Sequence, residues 1–192
     1  GHGHYWITSF AGRDYLFGRE GENPAAPFER PLAEIRDANG NRIVCQRNKA
    51  GHLSAIIDSA GRTLPVSCDN AGRILTIDGP HPDRDGATVR LASYDYDEAG
   101  RLVTARDGRG SAWRYRYANH LLIEEQRRGG LVYHFIWDDV RNDRAARCIE
   151  TWGEEPGGGA SGAGLNYARL IYDVGARTTL VTSGMGALTR YS

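Results

Sequence analysis

Aromatic and polar residues alternate with a period of two in the middle of the chain. In residues 111–117, and again in residues 131–137, an aromatic residue stands at every second position. Alternate positions of a strand share one face, whereas a helix needs apolar residues three and four apart. The pattern predicts strands and almost no helix, with a possible aromatic contact face formed by Trp113, Tyr115, Tyr117, Tyr133, Phe135 and Trp137.

A four-residue turn signal separates such segments: Asp or a similar residue, two variable residues, then Gly. The first four copies start at residues 37, 48, 58 and 69, and two more start at 97 and 107. Asp accepts hydrogen bonds from the backbone just after it, and Gly adopts a positive φ at little cost, which suits a type I turn with a G1 bulge. The expected turn residues are Asp37, Gly40, Asp58, Gly61, Asp69, Gly72, Asp97, Gly100, Asp107 and Gly110.

The rhythm of these turns predicts the fold class. Four turn residues in every ten or eleven leave about six or seven for a strand, which is close to the usual strand length. We therefore expect an all-β fold: an antiparallel meander of hairpins in one curved sheet, with residues 1–192 as a single region. Segments rich in Gly, Pro or charge predict loops at 18–27, 78–86 and 153–164, and the second is expected to leave the sheet.

Composition and charge exclude several classes of protein. Lys plus Arg and Asp plus Glu each total 24, so the net charge is zero, which argues against a general nucleic-acid binder. Arg accounts for 23 of the basic residues; no patch gathers them, and we attribute the bias to GC-rich coding. No stretch approaches the ~20 apolar residues of a membrane span, and the first residues do not resemble a signal peptide. Hydrophobic residues, at 40%, suffice for a core.

Candidate catalytic and ligand-binding residues lack a supporting context. Cys45, Cys68 and Cys148 lie far apart without a CxxC pair, and the histidines have no metal-type spacing. His134 lies opposite the aromatic face, where a hydrogen bond to a neighbouring strand would explain it. Residues 157–162 formally satisfy GxGxxG, but without a strand and helix around them. We predict no catalytic residue, no metal and no cofactor.

Several motifs resemble a known repeat. YDYDEAGRL at 94–102 continues through DGRG at 107–110 to WRYRY at 113–117, and this run resembles the YD repeat of Rhs proteins. The segments IRDANGNRI, IIDSAGRTL and CDNAGRILTI are similar, with the tyrosines replaced. RCIETWG at 147–153, followed by LIYD at 170–173, also resembles a segment of bacterial Rhs polypeptides. The resemblance covers about residues 5 to 191.

The resemblance implies a structural function. Rhs proteins wind a long β-sheet into a spiral shell that encloses a C-terminal toxin, which a type VI or similar secretion machine delivers in interbacterial competition. The chain would then be a wall fragment of a longer protein, without enzyme activity. Its partners would be the rest of the shell and the enclosed toxin. It would reside in the bacterial cytoplasm before secretion, and the cut sheet would self-associate through its strand edges.

Two alternatives stay open. The aromatic face could bind carbohydrate or a partner protein, although such rings more often form cross-strand pairs worth about 0.2–1 kcal/mol each. A third alternative, a hydrolase, is the least supported of these functions. Paired acids occur at 95/97, 124/125 and 138/139, but adjacent acids on a strand point to opposite faces.

Overall fold

The computed structural model describes residues 4–18, 29–141, 144–154 and 164–192. Every helix or strand element in these ranges is a β-strand. The described residues contain no helix long and apolar enough to cross a membrane. The prediction of an all-β fold with almost no helix is confirmed.

The strands fall into two compact units. The first comprises Gly1–Tyr94 with Asp107–Gly110, and the second Asp95–Arg106 with Ser111–Ser192. Strands β1 to β8 are Tyr5–Thr8, Asp14–Phe17, Leu32–Arg36, Arg42–Arg47, Leu53–Ile57, Thr63–Cys68, Ile74–Pro80 and Thr88–Tyr96. Strands β9 to β16 are Leu102–Asp107, Ala112–Ala118, Leu121–Gln126, Val132–Trp137, Cys148–Glu154, Leu165–Asp173, Thr178–Ser183 and Leu188–Tyr191. The unit boundary passes through β8 and near the end of β9.

The strand order follows the chain from β1 to β16 without a crossover. Neighbouring strands pair antiparallel, for example β1 with β2 and β15 with β16. Short hairpin turns are enough to connect such strands. Within the described residues the sheet is not closed, and β1 and β16 each have a partner on one side. The antiparallel meander is confirmed, whereas the curvature of the sheet and its treatment as a single region stay predictions.

The interruption expected at 78–86 is shorter than the sequence analysis predicted. Residues 78–80 complete β7 and pair with residues 88–90 of β8, so they do not leave the sheet. Pro80 is the last residue of β7 and lies opposite Thr88. The connection is closed by the His81 N–H, which donates to the Ala87 carbonyl at 2.8 Å.

The other two predicted loops lie largely outside the described residues. Of 18–27 only Gly18 is described; it is buried, and its N–H donates to the Pro31 carbonyl at 2.8 Å. The loop predicted at 153–164 begins later than expected, because Gly153 and Glu154 still belong to β13. Gly153 lies against Tyr133, where a Cβ would approach the ring to 3.0 Å. The GxGxxG segment at 157–162 lies outside the described residues.

Few side chains are buried. Among the described residues, the buried hydrophobic ones are Ala55, Val66, Leu121 and Trp152. Most strand residues are only half-buried, so the hydrophobic content does not produce a closed core in either unit.

Candidate functional site

The Asp-x-x-Gly turns share one hydrogen-bond geometry. In each, the Gly N–H donates to the carbonyl of the first turn residue at 2.9–3.1 Å, as at 37–40, 58–61, 69–72, 97–100 and 107–110. The glycines have positive φ, with 81° at Gly100 and 82° at Gly110. An L side chain is disfavoured in this conformation, which explains Gly at the fourth position.

The fifth position of several turns adds an arginine lock. Asp97 Oδ1 accepts the Arg101 backbone N–H at 2.9 Å, and Asp97 Oδ2 accepts Arg101 Nε at 2.7 Å. The backbone N–H of Arg101, together with its guanidinium, holds the pKa of Asp97 below its ordinary value. The turns starting at 58 and 69 repeat the lock with Arg62 and Arg73. The sequence analysis missed it by attributing the arginines to coding bias; the recurring D-x-x-G-R pattern was the available signal.

The sequence analysis also missed the turn Ser9–Gly12. The Gly12 N–H donates to the Ser9 carbonyl at 2.9 Å, and the φ of Gly12 is 71°. Ser9 Oγ accepts the Arg13 N–H at 3.2 Å and so replaces the Asp carboxylate of the other turns. A serine three residues before a glycine was the signal for this turn.

The predicted aromatic face lies on two strands that are not neighbours. Its first three residues are on β10 and the other three on β12, with β11 between them. Tyr115 is opposite Glu125, and Glu125 is opposite Tyr133, so the two halves share a face across an acidic residue. The six rings are therefore not cross-strand partners of one another, because β11 separates the two strands that carry them, and their use as a contact face stays a prediction.

Three aromatic side chains tie a strand to the strand before it. Each donates one hydrogen bond to a backbone carbonyl: Tyr117 Oη to Leu102 (2.9 Å), Trp137 Nε1 to Leu122 (2.8 Å) and Tyr172 Oη to Cys148 (2.7 Å). We call these contacts the aromatic ties. Tyr117 and Trp137 both stand where the pairing register shifts by one residue. The ties satisfy the polar atom of a half-buried ring, as such rings usually require. Tyr172 was not among the predicted residues.

Residues 127–130 form a further turn, in which the Gly130 N–H donates to the Arg127 carbonyl at 2.9 Å, and its arginines cover other rings of the aromatic face. The Arg128 guanidinium carbon lies 4.2 Å from the ring centroid of Trp113, and that of Arg127 lies 4.3 Å from Tyr133. These are cation–π distances. Arg127 Nε also donates to Glu125 at 3.2 Å. A sugar that stacked on these ring surfaces would have to displace the guanidinium groups of the chain itself.

His134 has structural contacts on the opposite face. Its ring stacks on Trp152 with centroids 4.9 Å apart, and Nε2 lies 2.9 Å from Glu154 Oε1. Its cross-strand neighbour Glu124 pairs with Arg116 at 2.8 Å. No group of three or more His, Cys, Asp or Glu residues is placed to hold a metal ion in the described part of the chain. Burial raises the pKa of the Cys148 thiol, and all three cysteines are free.

A meander of locked turns and aromatic ties defines a β-repeat protein, and the family comparison agrees with the earlier resemblance. Residues 96–132 match the family model described as RHS Repeat. This stretch of the chain therefore resembles an RHS repeat. The matched residues include β9 to β11, three Gly-closed turns, the Tyr117 tie and the arginines that cover the aromatic rings.

Comparison with individual proteins relates the chain to a toxin. It is 25% identical over 186 residues to "Double-stranded DNA deaminase toxin A" of Burkholderia cenocepacia (strain H111). The match covers 96% of this chain and 12% of the relative. Two crystal structures also match. The structure of TcdB2-TccC3-Cdc42 matches with a TM-score of 0.36 and 8% identity, and the match covers 87% of this chain and 11% of that chain. The structure of TcdB2-TccC3-TEV matches with a TM-score of 0.29 and 9% identity, and the match covers 88% of this chain and 12% of that chain.

Proposed function

We propose that this chain is a wall segment of a larger RHS-type toxin and that its sheet helps to enclose a C-terminal toxin domain. The RHS repeat at 96–132 and the toxin relative, of which the chain matches 12%, support this role. The remaining wall and the enclosed domain would be its partners. A type VI or similar secretion machine would deliver the assembled protein from the bacterial cytoplasm in interbacterial competition.

The observation that carries the proposal is the poor burial of a hydrogen-bonded sheet. Large hydrophobic side chains are half exposed even on interior strands, such as Ile171 at 54% on β14 and Leu165 at 51%. Surfaces of this kind are normally covered by a partner. In a wall, the neighbouring turns of the sheet and the enclosed domain would supply the cover that this chain lacks.

The proposed role is structural and uses no catalytic residue or cofactor. The acids and the histidine considered for catalysis have structural partners: Asp97 closes a turn, and Asp138 Oδ1 accepts the Arg147 N–H at 2.8 Å. Glu124 and Glu125 pair with different residues, His134 and Tyr133, on opposite faces. The deaminase named in the relative belongs to that protein and is not proposed for this chain.

A complementation experiment tests the enclosure. The larger polypeptide is expressed without this segment, and trypsin resistance of its C-terminal region is measured before and after adding the 192-residue chain. We expect low resistance that the added chain restores. A chain with Gly100→Val and Gly110→Val, which strains two turns, should restore less. Full resistance without the segment, or no effect of the added chain at any concentration, would overturn the proposal.

A further inference from the structure

The turn Asp37–Gly40 contains a dipeptide with a chemistry of its own. Asn39 is the only asparagine of the chain that is followed by glycine, and both residues are exposed. Four other turns of the same pattern have alanine at this third position, namely Ala50, Ala60, Ala71 and Ala99. A turn of this kind therefore closes without a side-chain amide at its third position.

An asparagine before glycine can react with the backbone nitrogen that follows it. The Gly40 nitrogen gives up its proton to solvent base and attacks Asn39 Cγ, which forms an N–Cγ bond, breaks the Cγ–Nδ2 bond and releases ammonia. Water then opens the resulting cyclic imide at one of its two carbonyl groups. Opening at Cγ gives aspartate, and opening at the backbone carbonyl gives isoaspartate. Glycine has no side chain to hinder the approach of its nitrogen.

The closed turn holds the attacking nitrogen. The Gly40 N–H donates to the Asp37 carbonyl at 3.1 Å, and the Asn39 N–H donates to Asp37 Oδ1 at 2.9 Å. The Gly40 nitrogen has to leave its hydrogen bond before it can lose the proton and attack. Local opening of the turn must therefore precede the reaction, as it does for amide hydrogen exchange.

This turn lacks the arginine lock that would keep it closed. Its fifth residue is Asn41, whose Nδ2 donates to Asp37 Oδ2 at 2.8 Å. In the turn that starts at Asp58, a guanidinium makes the corresponding contact, from Arg62 Nε to Asp58 Oδ2 at 2.6 Å. Hydrogen bonds between two charged groups are stronger than those from a neutral amide. The turn at 37–40 should consequently open more often than the locked turns.

We propose that Asn39 is a modification site, converted without an enzyme to isoaspartate and aspartate at a rate set by the opening of its turn. Asn41, at the position of the locking arginine, controls that opening. Isoaspartate adds a methylene to the backbone just before Gly40, so the bond from the Gly40 N–H to the Asp37 carbonyl cannot form again in the same geometry. The β3–β4 hairpin is then loosened irreversibly. The proposal does not rest on the proposed function, and either can fail alone.

Incubation of the 192-residue chain at mildly alkaline pH, followed by peptide mass spectrometry, tests the site. We expect deamidation at Asn39 before any other described asparagine. Asn70 is the internal reference, because it is exposed in the turn at 69–72 but is followed by Ala71. A chain in which Asn70 reacts as fast as Asn39 would overturn the assignment.

Substitutions at the fifth position test the control by turn opening. Asn41→Arg builds the D-x-x-G-R pattern of the locked turns and should slow the reaction roughly two- to fivefold. Asn41→Ala removes the amide that binds Asp37 and should accelerate it by roughly the same factor. In urea all three chains should react at one rate, because no turn is left to open. Equal rates in the folded chains, or differences that persist in urea, would refute the control by the turn.

Hydrogen exchange measures the consequence of the modification. The product carries an added negative charge and can be separated by ion exchange. The Asp37 amide, which donates to the Asn41 carbonyl at 3.0 Å, should lose protection in the isoaspartate product. Asn39→Ala, which has the residue of four other turns and cannot react, should keep this protection after the same incubation. Unchanged protection in the isoaspartate product would contradict the loosening of the hairpin.

Discussion

Tyr117 provides a direct test of the aromatic ties. Tyr117→Phe keeps the ring, its packing and its cation–π contact with Arg101 at 5.3 Å, but it removes the hydroxyl that donates to the Leu102 carbonyl at 2.9 Å. Burial raises the pKa of the Tyr117 hydroxyl, so it stays protonated and can donate at neutral pH. The substitution therefore isolates one hydrogen bond.

Tyr115 on the same strand is a matched control. It is half-buried like Tyr117, and burial likewise raises the pKa of its hydroxyl, but that hydroxyl has no hydrogen-bond partner in the described chain. A net hydrogen bond is worth about 0.5–1.5 kcal/mol. We therefore expect Tyr117→Phe to lower the free energy of unfolding by about 1 kcal/mol and Tm by roughly 2–4 °C. Tyr115→Phe should leave both almost unchanged.

Urea and thermal unfolding, followed by circular dichroism at a concentration where the chain is monomeric, measure the difference. We expect Tyr117→Phe to lower the free energy of unfolding by at least about 0.5 kcal/mol more than Tyr115→Phe does. Equal effects of the two substitutions would mean that the hydroxyl at position 117 contributes only what any half-buried tyrosine hydroxyl does. The tie would then be a consequence of the fold and not one of its supports.

Two further predictions concern the turns. Gly110→Val should lower the free energy of unfolding by about 1–2 kcal/mol because φ is 82° there. Gly129→Val should lower it less, since an added Cβ meets nothing within 4 Å at either site and only Gly110 has positive φ. Equal unfolding free energies of the two variants would refute the backbone argument. Because the pKa of Asp97 is lowered in the folded chain, its stabilisation is complete above the unfolded value of about 3.9 and is lost as the pH falls through the folded value. Asp97→Asn should therefore flatten the dependence of unfolding free energy on pH below about 4, and an unchanged slope would contradict the lock.

Local hydrogen bonds explain why the turns could be predicted from the sequence. The Asp97 carboxylate binds backbone and side-chain groups of Arg101, four residues away, and Gly100 closes onto the Asp97 carbonyl. Every partner lies within one five-residue window, so the pattern of residues is enough to define the turn. Arg101 lies in the same window, and the sequence analysis overlooked its role because it attributed the arginines to coding bias.

The ends of strands were harder to predict because pairing outweighs local composition there. Residues 78–80 contain Gly and Pro, which normally predict a loop, yet they pair with residues 88–90. At Gly153 the absence of a side chain lets the ring of Tyr133 approach, so a residue that suggested a loop lies inside β13. In both cases a contact with another strand determines the structure.

The sequence by itself determined the class of fold, the positions of the Asp-x-x-Gly turns and the RHS resemblance, because turn chemistry and period-two alternation are local properties. Only the tertiary structure decided which groups meet across strands. Tyr117 and Leu102 are fifteen residues apart, and their contact requires β10 to pair with β9 in the observed register. A one-residue slip of that register would turn every side chain of the strand to the other face. For the same reason the covered aromatic rings could be recognised only after the strands had been placed side by side.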